Sequence, residues 1–139
     1  MNKANIFMNL LLLFACQLCF AGSQAPEGAE VYFISPQDGD IVGSQVTVRF
    51  GLSGMGVAPA GLERDGTGHH HLLIDVDKLP DPGSPVPADE HHRHFGGGQT
   101  ETVLELEPGE HSLQLLLGDW KHVPHDPPVV SERINITVR

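Results

Sequence analysis

From residue 31 onward the chain alternates between apolar and polar positions. Val46, Val48, Phe50 and Leu52 are separated by Thr47, Arg49 and Gly51, the period of a strand with one face in a core. The period recurs at Val31 and Phe33, at His70, Leu72, Ile74 and Val76, and at Thr102, Leu104 and Leu106. It returns at His111, Leu113, Leu115 and Leu117, and at Ile134, Ile136 and Val138, which read as a closing edge-type strand. In the segment around residue 72 the second face carries His69, His71, Leu73, Asp75 and Asp77. Ser35-Pro36-Gln37-Asp38-Gly39 and Pro108-Gly109-Glu110 are turn signals. A Gly- and Pro-rich loop spans 53–68, and 79–100 and 118–129 read as long ordered loops. No stretch carries the 3.6-residue period of an amphipathic helix. The pattern predicts an all-β fold, an immunoglobulin-like antiparallel β-sandwich with two long His-bearing loops, with a small closed barrel as the alternative. Loops of that length are uncommon in compact domains unless they are functional or disordered. Both of these carry histidines, and both carry prolines that restrict them.

The first 21 residues break the pattern. Lys3 precedes an apolar run from Ile6 to Phe20, and Cys19-Phe20-Ala21 places small residues where a signal peptidase reads. The expectation is a signal peptide over 1–21, cleavage after Ala21 and a periplasmic or secreted location. Lipoprotein processing at Leu13-Phe14-Ala15-Cys16 is the alternative, with bulky Phe14 against it. A bilayer span needs about 20 apolar residues, so no membrane span is expected after cleavage. Residues 22–30 read as a flexible lead and 31–139 as a single β-sandwich domain. Cleavage removes Cys16 and Cys19, leaving neither a disulfide nor a thiolate.

Composition narrows the function. The 139 residues hold 8 Lys and Arg, 18 Asp and Glu, and 9 His, for a net charge of −10. Losing Lys3 leaves seven basic against eighteen acidic side chains, net −11. Such a charge excludes a nucleic-acid surface, which needs a basic stripe, and equally an anionic lipid surface. A cell-envelope protein is the partner class that remains. Unperturbed histidines would gain charge below about pH 6 and offset much of this excess.

All nine histidines lie between His69 and His125. Neutral imidazole suits Zn²⁺ and Cu²⁺. His69 and His71 are two apart on a strand, so their rings leave the same face. His122 and His125 bracket Val-Pro in a rigid turn that can aim both rings inward. His94 opens the Phe95-Gly96-Gly97-Gly98 turn, where small residues let the backbone approach a site. These five are the candidate ligands of a divalent transition metal, Cu²⁺ or Zn²⁺. Asp75, Asp119 and Asp126 are candidate acceptors for the second ring nitrogens of such ligands.

The remaining histidines have plainer readings. His70 is in phase with Leu72 and Ile74, so it faces the core and is expected to hydrogen-bond a backbone group. His111 is expected at a strand corner, bonding a carbonyl. His91 and His92 follow Asp89-Glu90 and read as solvated. No nucleophile stands out: Ser112 follows His111 directly, so the two side chains leave opposite faces. The carboxylates form no acid–base couple.

Four stretches together resemble the family called domain of unknown function 4399. They are Gly68 to Asp75, His94 to Glu101, Pro108 to Leu115, and Gly118-Asp119 through His122-Val123-Pro124-His125. The resemblance covers about residues 31–138 and implies an exported bacterial domain without an assigned activity. A looser similarity joins His69-x-His71 to copper–zinc superoxide dismutases, which are also sandwich proteins. The mature chain lacks their cysteine pair, and no bridging histidine can be assigned. Three readings follow. The first is a non-enzymatic metal-binding domain for sequestration, delivery or sensing. The second is a structural or interaction module whose histidines rigidify the loops by hydrogen bonding. The third is a dismutase-like metalloenzyme.

Overall fold

The computed structural model describes residues 22–139. The segment read as a signal peptide, with Cys16, Cys19 and the cleavage point, lies outside them. Among the described residues no helix is long and apolar enough to cross a membrane.

The chain folds as β1 (Glu30–Ser35), β2 (Ile41–Val42), β3 (Gln45–Ser53), β4 (Gly56–Val57), β5 (Thr67–Ile74), β6 (His92–His94), β7 (Glu101–Glu105), β8 (Gly109–Gly118) and β9 (Ile134–Val138). A three-stranded sheet has the order β1-β3-β7, and a larger sheet has the order β2-β9-β8-β5-β4, with β6 also on β5. The two sheets enclose one core. Val31, Val46, Val48, Phe50 and Leu104 from the small sheet meet Leu72, Ile74, Leu113, Leu115, Leu117, Ile136 and Val138 from the large one. Every one of these sits where the alternation placed it. The all-β sandwich is therefore the observed architecture.

Three short strands modify the expected pattern. The 79–100 loop contains β6, which pairs antiparallel with β5 through His71↔His94 and Leu73↔His92. The 53–68 loop contains β4, which runs parallel to β5 at Gly56↔Thr67. Two- and three-residue strands carry too little period to be seen in a sequence. The third corrects the reading of β9 as an edge strand, because β2 covers its outer side in parallel pairing.

β5 is buried on both faces from Gly68 to Ile74. His70, Leu72 and Ile74 point into the sandwich. Leu73 on the other face is buried together with Leu116 of β8, outside the main core cluster. The strand ends at Ile74 because Asp75 adopts a left-handed backbone with φ 55°. Asp75 then closes the lower corner. Its carboxylate accepts from the Ser112 N–H at 2.8 Å and from His111 Nδ1 at 2.7 Å. His111 Nε2 also donates to the Glu107 carbonyl at 2.9 Å, the corner bond expected of it. Burial alone would push His111 down, but the bond to Asp75, the Glu107 carbonyl and the Asp75 charge together raise its pKa above 6.5.

Two outcomes test this packing. Leu115→Ala, at a fully buried position, should lose about 2–5 kcal/mol in urea unfolding. Val103→Ala, at a position 60% exposed, should stay within about 0.5 kcal/mol. The His111–Asp75 pair should stabilise the fold fully below pH 6.5 and lose its effect as pH rises through the raised pKa. The stability gap between the wild type and His111→Gln, followed by urea unfolding from acid to alkaline pH, should accordingly close toward the alkaline end.

Candidate metal centre

The outward face of β5 carries His69 and His71, 0% and 1% exposed. Cross-strand pairing brings His94 of β6 beside His71. Opposite His69 stands Gly118, the last residue of β8. A Cβ at Gly118 would lie 2.7 Å from His71 Nε2 and 3.4 Å from the His122 Cα. The bare glycine therefore gives the His71 ring its place and lets the following loop fold over it. That loop delivers His122, whose backbone is left-handed with φ 68°, a conformation that costs energy in a residue with a side chain.

Asp119 holds the loop in that shape. Its Oδ1 accepts from the Lys121 and Val123 N–H groups at 2.9 and 3.0 Å. Its Oδ2 accepts from both the N–H and the hydroxyl of Ser23 at 3.1 Å. The His122 N–H donates to the Asp119 carbonyl, and the His122 carbonyl accepts from Val86, both at 2.8 Å. Residues 23–25, expected as flexible lead, are thus tied to the loop, and Ala25 also donates to the Asp126 carbonyl at 3.0 Å.

The result is a group of four rings. One ligand atom from each of His69, His71, His94 and His122 lies within 4.8 Å of the others. His69 Nε2 is 3.1 Å from His71 Nε2 and 3.2 Å from His122 Nδ1. A tetrahedral ion with bonds of about 2.0–2.1 Å sets its nitrogens about 3.3 Å apart. The donor set and its spacing fit a Zn²⁺- or Cu²⁺-type ion. Without an ion, His69 Nε2 faces two other ring nitrogens, and proton sharing satisfies them poorly. The buried Nδ1 atoms of His69 and His71 have no protein partner at all.

Electrostatics favours the neutral form of His69, His71 and His94. Burial first, then the neighbouring His94 and His122, push His69 down from 6.5 to about 4, against a smaller opposing pull from Asp119. Burial and the charges of the other cluster rings push His71 down to about 3. His94 is lowered by burial and by His122. Neutral imidazole is the form that binds metal. His69 and His71, expected to charge near pH 6, are held uncharged well below it.

The other sequence candidates lie elsewhere. His125 is buried but does not join the cluster: Nε2 sits 3.1 Å from the Thr67 carbonyl and Nδ1 3.4 Å from that of Leu117. Strand parity explains it. Gly68 shares the His70 face, and a Cβ there would lie 2.7 Å from the His125 ring. His122 and His125 therefore end on opposite sides of β5, where the turn reading aimed both inward. Asp75 serves His111 and not the cluster. Asp126 is exposed, and its backbone pairs with Ser23 and Ala25. Asp119 is near the cluster, yet its oxygens bind backbone and Ser23 and not a second ring nitrogen. His70 faces the core with its ring 5.1 Å from Phe50. The backbone bond expected of it is absent, since both its nitrogens lack a partner. His91 is exposed but tied, its Nδ1 donating to the Ile74 carbonyl, whereas His92 is half-buried and its Nδ1 pairs with Asp89. Gly118 and Ser23 went unread as site residues. Gly118 carried a signal, a glycine at the end of a leucine-rich strand just before a histidine loop. Ser23 carried none.

The sign of the pH dependence follows from these shifts. Between pH 6.5 and about 4 the unfolded chain binds protons that folded His69, His70 and His71 refuse. Stability of the metal-free protein should be fully present above pH 6.5 and fall as pH drops through that window. Each group contributes at most about 1.4 kcal/mol per pH unit. Urea unfolding of His70→Leu, which removes one of the three, should show a shallower decline.

Comparison with known proteins adds one finding. The family model described as Domain of unknown function (DUF4399) matches residues 48–139. No curated protein and no solved structure matches the chain. The match runs from the middle of β3 to residue 139 and includes all four clustered histidines, Gly118 and Asp119. The chain belongs to the DUF4399 family.

Proposed function

We propose that this protein is an exported domain that holds one divalent transition-metal ion, Cu²⁺ or Zn²⁺, through His69, His71, His94 and His122. One observation carries the reading: four imidazoles converge within 4.8 Å, and His69 Nε2 faces the His71 and His122 nitrogens at 3.1 and 3.2 Å, where shared protons satisfy them poorly. Burying polar atoms in this way costs about 1–3 kcal/mol each. A bound ion offsets that cost at the facing nitrogens. The role is sequestration, delivery or sensing in the periplasm or outside the cell, with a cell-envelope protein as partner. We propose no turnover, because four histidines fill a tetrahedral ion, whereas catalytic sites keep a position open.

The loop-rigidifying reading has its own support, in different residues. His91, His92, His111 and His125 all bond carbonyls or carboxylates that fasten loops to strands. The two roles divide the histidines between them.

Calorimetric titration of the metal-free mature protein should show one Zn²⁺ or Cu²⁺ per chain at micromolar affinity or tighter. At an ion concentration about 100 times Kd, mass action adds about 2.7 kcal/mol of stability, visible as a raised Tm. His71→Ala should abolish the rise, and His91→Ala should leave it unchanged. Absence of stoichiometric binding near neutral pH would overturn the reading.

A further inference from the structure

The four rings of the centre are not held alike. His69 and His71 stand on β5, which is hydrogen-bonded to β8 on one side and to β4 and β6 on the other. His122 is fixed by its backbone bonds to Asp119 and Val86. The His69 and His71 rings are fully buried, and the His122 ring is half-buried on a loop anchored at Asp119. His94 differs in its exposure and in the shortness of the strand that carries it. It is exposed, and it ends a three-residue strand. Among the described residues no side-chain hydrogen bond holds its ring. Apart from the other three rings of the centre, it lies against Gly96, where a Cβ would stand 2.3 Å from His94 Cε1 and 2.6 Å from Nε2. The ring lies over bare glycine backbone, flanked by Ala60, whose N–H donates to the Gly96 carbonyl at 2.8 Å.

A centre with two buried ligands, one half-buried and one exposed is most open at the exposed one, His94. Resting on the metal reading above, we propose that His94 is its exchangeable ligand. The ion enters and leaves through the His94 position, and a neutral nitrogen donor from outside, an imidazole side chain of a partner or free imidazole, takes that position while His69, His71 and His122 keep the ion. The exchange breaks one metal–nitrogen bond and forms another, with no change of oxidation state and no net proton transfer between neutral imidazoles. This gives delivery a route: a partner's histidine captures the ion by replacing its most exposed ligand.

Chemical rescue tests the assignment. Wild type, His94→Gly and His71→Gly are loaded with Cu²⁺ and followed by electron paramagnetic resonance and by transfer of the ion to a chelator. His94→Gly should keep one Cu²⁺, release it at least about tenfold faster, and recover both the four-nitrogen spectrum and slow release in millimolar imidazole. His71→Gly should not be rescued, because its vacated position is closed to solvent. If circular dichroism shows that His71→Gly does not fold, His69→Gly, at a position equally closed to solvent, replaces it as the control. Wild type that binds Cu²⁺, with His94→Gly not rescued or the control rescued equally, overturns the exchange role and leaves the metal reading standing. Wild type that binds no Cu²⁺ and no Zn²⁺ overturns both.

Discussion

Everything in this molecule depends on one strand being covered on both faces. β5 alternates strictly, and its two sets of side chains meet different surroundings. One set, His70, Leu72 and Ile74, completes the core against Phe50 and the leucines of β8. The other set, His69, His71 and Leu73, lies beneath the long loops. A half-exposed strand would leave its outer histidines in water, at ordinary pKa and without a fixed geometry. Covering the outer face turns the same two residues into neutral, immobile donors. The loops around residues 79–100 and 118–129 therefore do more than connect strands. They make the second face an interior.

That interior is expensive, and the expense is concentrated at the site. His69, His70 and His71 follow one another in sequence and are all buried, with both Nδ1 atoms of the outer pair unsatisfied. His122 adds a left-handed backbone. Strain and unpaired polar groups persist only where surrounding structure over-determines them. Here that surrounding structure is identifiable. Gly118 and Gly96 supply space, Asp119 clamps the loop with four hydrogen bonds, and Ser23 reaches in from the N-terminal segment to complete the clamp. Asp119 works through backbone shape and not by touching a ring. Its loss would first be felt as a misplaced His122.

Much of this was legible in the residues. Period two exposed every long strand, and the His-x-His spacing on β5 placed two rings on one face. Histidine clustering brought His94 and His122 into the same frame. What failed to read was whatever depends on a partner far along the chain. His125 stands only three residues after His122, and spacing alone joined them. The structure separates them because the loop crosses the end of β5, one ring on each side. Asp75 shares a face with His71 by alternation, but a left-handed turn after Ile74 carries it to His111. The segment at residues 23–25 looked unconstrained because its hydrogen-bond partners lie roughly a hundred residues away. β2, β4 and β6 are too short to carry a period.

The sequence by itself determined which side chains face in and which face out, because a strand's geometry is local and repeats every two residues. It also determined the chemistry at hand: imidazoles and carboxylates, with no thiolate if the leading segment is removed. Only the tertiary structure decided which four of the nine histidines meet, and which of those are buried and which reach solvent. Convergence is a property of loops folded over a sheet, fixed by glycines that leave room and by bonds such as Ser23 to Asp119 that span the chain. No periodicity encodes such contacts, because the residues that make them are neighbours in space alone.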